Sequence, residues 1–206
     1  MSALVIFLHG VGSRGADLAA LADLWRSQLP DTAFAAPDAP FAFDQGGPGR
    51  QWFSVRGVTE ADRAQRVADA REAFDQTIRA IIEMHGLAGR LERVALVGFS
   101  QGSIMALDAV ASGRWPVGAV VAFSGRLASP KPLAPATGTK VLLVHGDADP
   151  VIPAQESAQA EATLQTAGID ARQQRLRGLG HTISAEGAAI AGNFLADAFG
   201  AIPVSE

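Results

Sequence analysis

Cysteine is absent from this chain of 206 residues. A disulfide framework, a thiolate zinc site and a thiol nucleophile are excluded with it. A strong charge of one sign is lacking too, because 17 basic residues against 21 acidic ones leave a net charge of −4. Nothing in that balance would neutralise a phosphate backbone, so no nucleic-acid partner is expected. Long apolar runs are also missing. The N-terminal ALVIFL covers six residues, has no basic region before it and runs straight into His9-Gly10. It reads as a buried strand rather than a targeting segment. No other stretch approaches a membrane span, so no stable membrane insertion is expected, and the chain reads as soluble and cytoplasmic. Internal repeats, low-complexity tracts and linkers are absent as well. A hydrophobic content of 48% in a chain of this length then predicts one domain over residues 1–206, able to bury a substantial core.

Short apolar runs alternate with longer segments of helical period, and each run stops at glycine, aspartate or proline. The predicted strands are 3–9, 32–36, 93–98, 117–124, 140–145 and 170–177. The predicted helices are 16–28, 59–84, 101–112, 154–167 and 185–198. In the helix from 59, Val67, Ala70, Phe74, Ile78, Ile81 and Ile82 recur three or four apart, which marks one apolar face. Strands joined by connections of helix length imply a mostly parallel sheet with helices on both faces. Ligands of such sheets bind beyond the carboxyl ends of the strands. One long irregular piece, residues 37–58, carries Phe41, Phe43, Trp52 and Phe53. These aromatics either plug the top of the core or, with Leu8, form an apolar trough for substrate.

The run VALVGFSQGSIMAL, residues 94–107, carries a Gly-X-Ser-X-Gly pattern between a predicted strand and a predicted helix. A serine hydroxyl attacks only when a base takes its proton and donors are aimed at the oxyanion. A sharp turn between strand and helix would lift Ser100 to the sheet edge, with Gly98 and Gly102 removing side chains that would collide. The Gln101 amide would point into the same space. A structural turn with an N-capping serine explains the pentapeptide equally well.

Two further strand ends bear on the choice. VLLVHGDADPVIP, residues 141–153, ends an apolar run in a turn with two acids. Asp149 precedes proline, which pushes it toward extended backbone, whereas Asp147 suits a turn cap. Asp149 is therefore assigned as the orienting carboxylate. Among the four histidines, His85 falls at a helix C-terminus, and His9 and His145 close strands and read as buried groups bonded to loop backbone. His181, in the loop after the last strand, is left as the base. The chain order Ser100, Asp149, His181 is that of the α/β-hydrolase arrangement. A fourth piece, His9-Gly10-Val11-Gly12 after the first strand, offers the Val11 amide as a second oxyanion donor beside Gln101. No metal or organic cofactor is called for by this set.

These motifs in order, FLHGVG, PDAP, QWF, GFSQG, FSG, HGDADPVIP and GLGH, resemble the phospholipase/carboxylesterase family of small α/β-hydrolases, which includes bacterial carboxylesterases and acyl-protein thioesterases. The stretch GRQWFSVRGVTE, residues 49–60, is closer to a bacterial esterase branch. The resemblance implies Ser100 as nucleophile, Asp149 and His181 as its partners, and the Val11 and Gln101 amides as the oxyanion hole. It also implies a single domain lacking the leading strands of larger relatives, hence six or seven strands and no separate cap domain. The substrate it implies is a small ester or thioester, with carboxylesters ahead of acyl-protein, acyl-CoA or lysophospholipid substrates. Because no segment is long enough to form a cap over a large substrate, an open site favouring short to medium acyl chains is expected. Two positions depart from the family, Ser13 after HGVG and Ser54 after WF, where an acid is common. Oligomeric state has no signature in the sequence.

Overall fold

In a computed structural model describing residues 3–200, six parallel strands form one sheet. They are β1 (Ala3–Leu8), β2 (Thr32–Ala35), β5 (Val94–Phe99), β6 (Ala119–Phe123), β7 (Lys140–Gly146) and β8 (Asp170–Leu176), in the spatial order β2-β1-β5-β6-β7-β8. Every pairing in it is parallel. A separate antiparallel pair, β3 (Phe41–Ala42) with β4 (Arg50–Gln51), lies within the 37–58 segment.

The inner strands β1, β5, β6 and β7 are near-continuous apolar runs because both faces of a parallel sheet are covered there, whereas the edge strand β8 is largely polar. In β1, Leu4, Ile6 and Leu8 face one core while Ala3, Val5 and Phe7 face the other, and β5 and β6 divide in the same way. The first core is capped by α2 (Glu60–Asp69), α3 (Arg71–Met84), α4 (Gln101–Ala111) and α5 (Gln155–Thr166). The second lies under α1 (Ala20–Trp25) and α6 (Ala185–Phe199). All eleven residues of α4 are buried, which explains why its sequence has no exposed polar stripe and why its few polar side chains, Gln101, Ser103 and Asp108, are hydrogen-bonded within the protein. No separate cap domain is present among the described residues, and the chain forms a single α/β-hydrolase domain.

Two expected helices are broken. The segment predicted as 16–28 is a 3₁₀ turn, Gly15–Leu18, followed by the short α1. The segment predicted as 59–84 divides at Ala70, which has φ −81° and ψ −10°. Neither glycine nor proline marks that break. Beyond it, α3 sets Phe74, Ile78 and Ile82 into the core and brings Arg71 against Asp108 of α4 at 2.8 Å. The apolar period runs on through Ala70, so the pattern alone reads as one helix.

From β1 the chain passes to β2 on one side and later to β5 on the other, so the sheet order reverses between β1 and β5. A crevice opens at the carboxyl ends of strands where the order reverses. The loops after β1 and β5 carry the HGVG and GFSQG motifs, which places both motifs at that crevice.

Candidate active site

Ser100 occupies the turn between β5 and α4 with φ 53° and ψ −113°. That conformation is costly for a residue with a Cβ and survives only where its surroundings over-determine it. The flanking glycines are required by close approach. A Cβ on Gly98 would lie 2.4 Å from the Ser103 amide nitrogen, and one on Gly102 would lie 1.9 Å from the Leu8 carbonyl oxygen. Since β1 cannot yield its backbone without loss of pairing, Gly102→Ala is expected to cost about 2–3 kcal/mol. Urea unfolding would read this, and an unchanged midpoint would refute so tight a contact between α4 and β1.

Ser100 is the N-cap residue of α4, yet its side chain makes no capping hydrogen bond. Its Oγ lies 3.0 Å from His181 Nε2. His181 Nδ1 in turn lies 2.7 Å from Asp149 Oδ2. Asp149 Oδ1 accepts the amides of Val151 at 2.8 Å and Ile152 at 2.9 Å, and the Asp149 side chain is fully buried. Burial by itself would raise this carboxyl. The His181 contact and the Ile152 and Val151 amides outweigh it and hold the group below its ordinary range. Asp147, expected to cap its own turn, instead accepts the Gly178 amide at 2.6 Å from the loop after β8.

His145 was read as a buried group bonded to loop backbone, and it is one, with Nε2 at 2.8 Å from the Ile152 carbonyl. It also touches Asp149, a contact that sequence reasoning missed: Nε2 is 3.2 Å from Oδ2. Nε2 faces two acceptors, so it carries the proton, and Nδ1 accepts from the Ser157 hydroxyl at 2.6 Å. Each Asp149 oxygen thereby faces two N–H groups. The HGDAD spacing was the available signal, since it sets His145 and Asp149 four residues apart around one strand end.

The Val11 loop is braced from three directions. His9, fully buried, accepts the Ala39 amide at Nε2 over 2.9 Å and donates from Nδ1 to the Gly10 carbonyl over 2.7 Å. Burial pushes its imidazole below the ordinary value. Trp52 Nε1 donates to the His9 carbonyl at 2.9 Å, and the Gly12 amide donates to the Arg50 carbonyl at 2.8 Å. Gln101, expected to act through its backbone alone, also works through its side chain. Its Oε1 accepts the Trp52 amide at 2.8 Å and its Nε2 donates to the Phe53 carbonyl at 2.7 Å. Among the described residues, the amides of Val11 and Gln101 have no protein acceptor.

Of the aromatics named for a substrate trough, Phe43 is half-buried with its ring against Gly12 of the Val11 loop. Leu8, Trp52 and Phe53 are sealed in the core, and the Trp52 ring packs edge-on against Phe74 with centroids 5.4 Å apart. Phe41 lies on the outer surface instead. Trp52 and Phe53 are held inward by Gln101, which bonds their backbone, and by the His9 carbonyl, which accepts the Trp52 ring N–H. The departures Ser13 and Ser54 each donate to a carboxylate nearby, Asp17 and Asp44 respectively. An acid is thus present beside both positions, supplied from elsewhere in the loop.

The sequence model of the phospholipase/carboxylesterase family matches residues 1–198. The chain belongs to this family. Among its relatives, esterase YpfH of Escherichia coli (strain K12) is 35% identical over 181 residues, covering 87% of this chain and 76% of that protein. Acyl-protein thioesterase 1 of Gibberella zeae is 27% identical over 200 residues, covering 88% and 84%. The crystal structure of esterase PE8 superposes with a TM-score of 0.84 at 36% identity, covering 95% of this chain and 92% of that one. Fold and family together make the protein an α/β-hydrolase serine enzyme acting on ester bonds. No helix of the described residues is long and apolar enough to cross a membrane.

Proposed function

We propose that the protein is a carboxylesterase hydrolysing short- to medium-chain carboxylic esters through Ser100, His181 and Asp149. The observation that carries this reading is the orientation of Ser100, which turns away from capping α4 and toward His181 Nε2 at 3.0 Å. The His181 proton sits on Nδ1, toward Asp149, so Nε2 is free to accept.

Ser100 Oγ attacks the ester carbonyl while its proton passes to His181 Nε2. The oxyanion is received by the Val11 and Gln101 amides, whose lack of a protein acceptor supports this role. Preorganised donors of this kind contribute about 10²–10³ in rate each. Asp149 holds the imidazole in the useful tautomer and stabilises its charged form. The leaving oxygen takes the proton from Nε2 as the bond from carbonyl carbon to that oxygen breaks. Water, deprotonated by the same imidazole, then attacks the acyl enzyme, and Ser100 recovers its proton.

Likeness to acyl-protein thioesterase 1 supports a second reading, hydrolysis of thioesters by the same residues. A fluorophosphonate probe is expected to label the protein at Ser100, located by peptide mass, and matched oxygen and sulfur esters would then rank the two readings. Absence of label at Ser100 in a folded sample would reject both.

A further inference from the structure

A cavity of about 480 Å³ opens between the loop after β1, with α1, and the segment that follows His181. Its volume is in the range of small-molecule sites, about 300–1,000 Å³. Leu18, Leu21 and Leu24 form one wall, Ile183 and Ala188 the opposite wall, and Phe99 the end toward Ser100. Leu24 is 59% exposed at this opening. A large apolar side chain left in water beside a concavity marks a binding surface more often than a scattered surface leucine does.

Ser100, His181, Val11 and Gln101 do not line the cavity, but three of its lining residues adjoin them. Phe99 precedes Ser100, and its ring centroid lies 5.0 Å from that of His181. Thr182, on the lining, directly follows His181, and Ser13, also on the lining, directly follows the Gly10-Val11-Gly12 turn. The two loops carrying the base and the Val11 amide are therefore the two lips of the cavity.

An ester under attack has three substituents to place. Its carbonyl oxygen goes to the Val11 and Gln101 amides, and its leaving oxygen must reach His181 Nε2 to be protonated. The acyl substituent takes the remaining direction, away from the imidazole. Because the cavity flanks the imidazole across Phe99 and Thr182, we propose that it receives the leaving alcohol or thiol and selects neutral, apolar leaving groups. This rests on the esterase reading above and extends it from the bond cleaved to the group released.

The charge on the lining agrees. Among its described residues, Asp17 is the sole ionisable side chain. The Ser13 hydroxyl and the Arg14 amide hold its carboxyl below the ordinary range. On the lining a phosphorylated leaving group, such as coenzyme A or a phospholipid headgroup, would meet an anion, and the Arg14 guanidinium whose charge acts on Asp17 lies off the lining and faces Asp38. A hydrocarbon alcohol would meet leucine, isoleucine and alanine.

Two ester series test the assignment. In one, acetate is esterified with ethanol, butanol, hexanol and octanol; in the other, ethanol is esterified with acids from acetic to octanoic. Wild-type kcat/KM is expected to rise with alcohol length, by on the order of tenfold from ethyl to hexyl acetate. Ala185→Trp and Ala20→Trp, on opposite walls and both at exposed positions, are expected to remove that gain. Ethyl acetate and the acyl series should stay within about twofold of wild type. Loss confined to long acyl chains would overturn the proposal by making the cavity an acyl site, as would a wild type indifferent to alcohol length or a loss common to both series. Each of those outcomes leaves ester hydrolysis at Ser100 intact. Failure of the esterase reading would appear differently, as no turnover of any ester and no fluorophosphonate label.

Discussion

Ser100→Ala is expected to lower kcat/KM toward every ester that the wild-type protein hydrolyses by about 10⁴–10⁶. The alanine leaves the Val11 and Gln101 amides in place, so substrate still binds and KM should change little. What disappears is the covalent route, and kcat carries the loss. A fold-change in kcat below about 10² would sink the assignment. Ser100→Gly separates this chemistry from the backbone that presents it. Both variants lack the nucleophile, but glycine tolerates φ 53° without the steric cost that any Cβ bears. Ser100→Gly should therefore be as inactive as Ser100→Ala and more stable than it by about 1 kcal/mol, the strain relieved exceeding glycine's extra unfolded-state entropy. Denaturant midpoints of the two variants measure this, and a glycine variant less stable than the alanine one would show that the turn is not strained.

Asp108→Ala is expected to destabilise the protein by about 3–5 kcal/mol, a large part of the roughly 5–15 kcal/mol that holds a domain together. Asp108, fully buried on α4, takes Arg71 on both oxygens, Nη2 at 2.8 Å and Nε at 3.0 Å, and Arg114 Nη1 at 2.9 Å. Arg114 continues to Asp75 at 2.9 and 3.0 Å, and Asp75 accepts Trp115 Nε1 at 2.6 Å. Burial would raise the Asp108 carboxyl, but its hydrogen bonds, above all those of Arg71, lower it on balance. Without the carboxylate, two guanidinium groups remain in a half-buried space with one acid between them. Arg71→Met should cost less, about 1–2 kcal/mol, because Asp108 keeps Arg114. Urea unfolding of both variants gives the comparison. Equal losses would mean that Arg71, rather than the shared carboxylate, is the centre of the network. Since Ser100 is the N-cap of α4, this network also anchors the far end of the helix that follows that serine.

Much of the architecture was readable from local pattern. Each of the six predicted strands overlaps an observed one to within two residues at either end, and for β1, β5, β6 and β7 the reason is that a strand buried on both faces is an apolar run between polar stops. Three residues that the structure brings together were also visible as strand ends. Ser100 and Asp149 each follow an apolar run and His181 follows the polar edge strand β8, and in a parallel sheet such strands end at the same edge. What the pattern did not hold were contacts between segments distant in the chain. Just past the break at Ala70, Arg71 meets Asp108, 37 residues away in sequence. The inward turn of Trp52 follows from His9 and Gln101, 43 and 49 residues away.

Ser100 illustrates where the division falls. Sequence by itself determined that a serine stands between two glycines at a strand-to-helix turn, since steric exclusion at Gly98 and Gly102 acts over a few residues. It equally determined the absence of thiol chemistry and the order of the strands' catalytic ends. Whether the hydroxyl would cap its own helix or face His181 was decided by the tertiary structure alone. Likewise, only the packed molecule separated Trp52 and Phe53, as core, from Leu18, Leu24 and Ile183, as cavity wall. Hydrophobicity is a property of each residue, and periodicity shows which side of an element it lines. Which side is left open depends on what packs against it, and that is known only when distant segments meet.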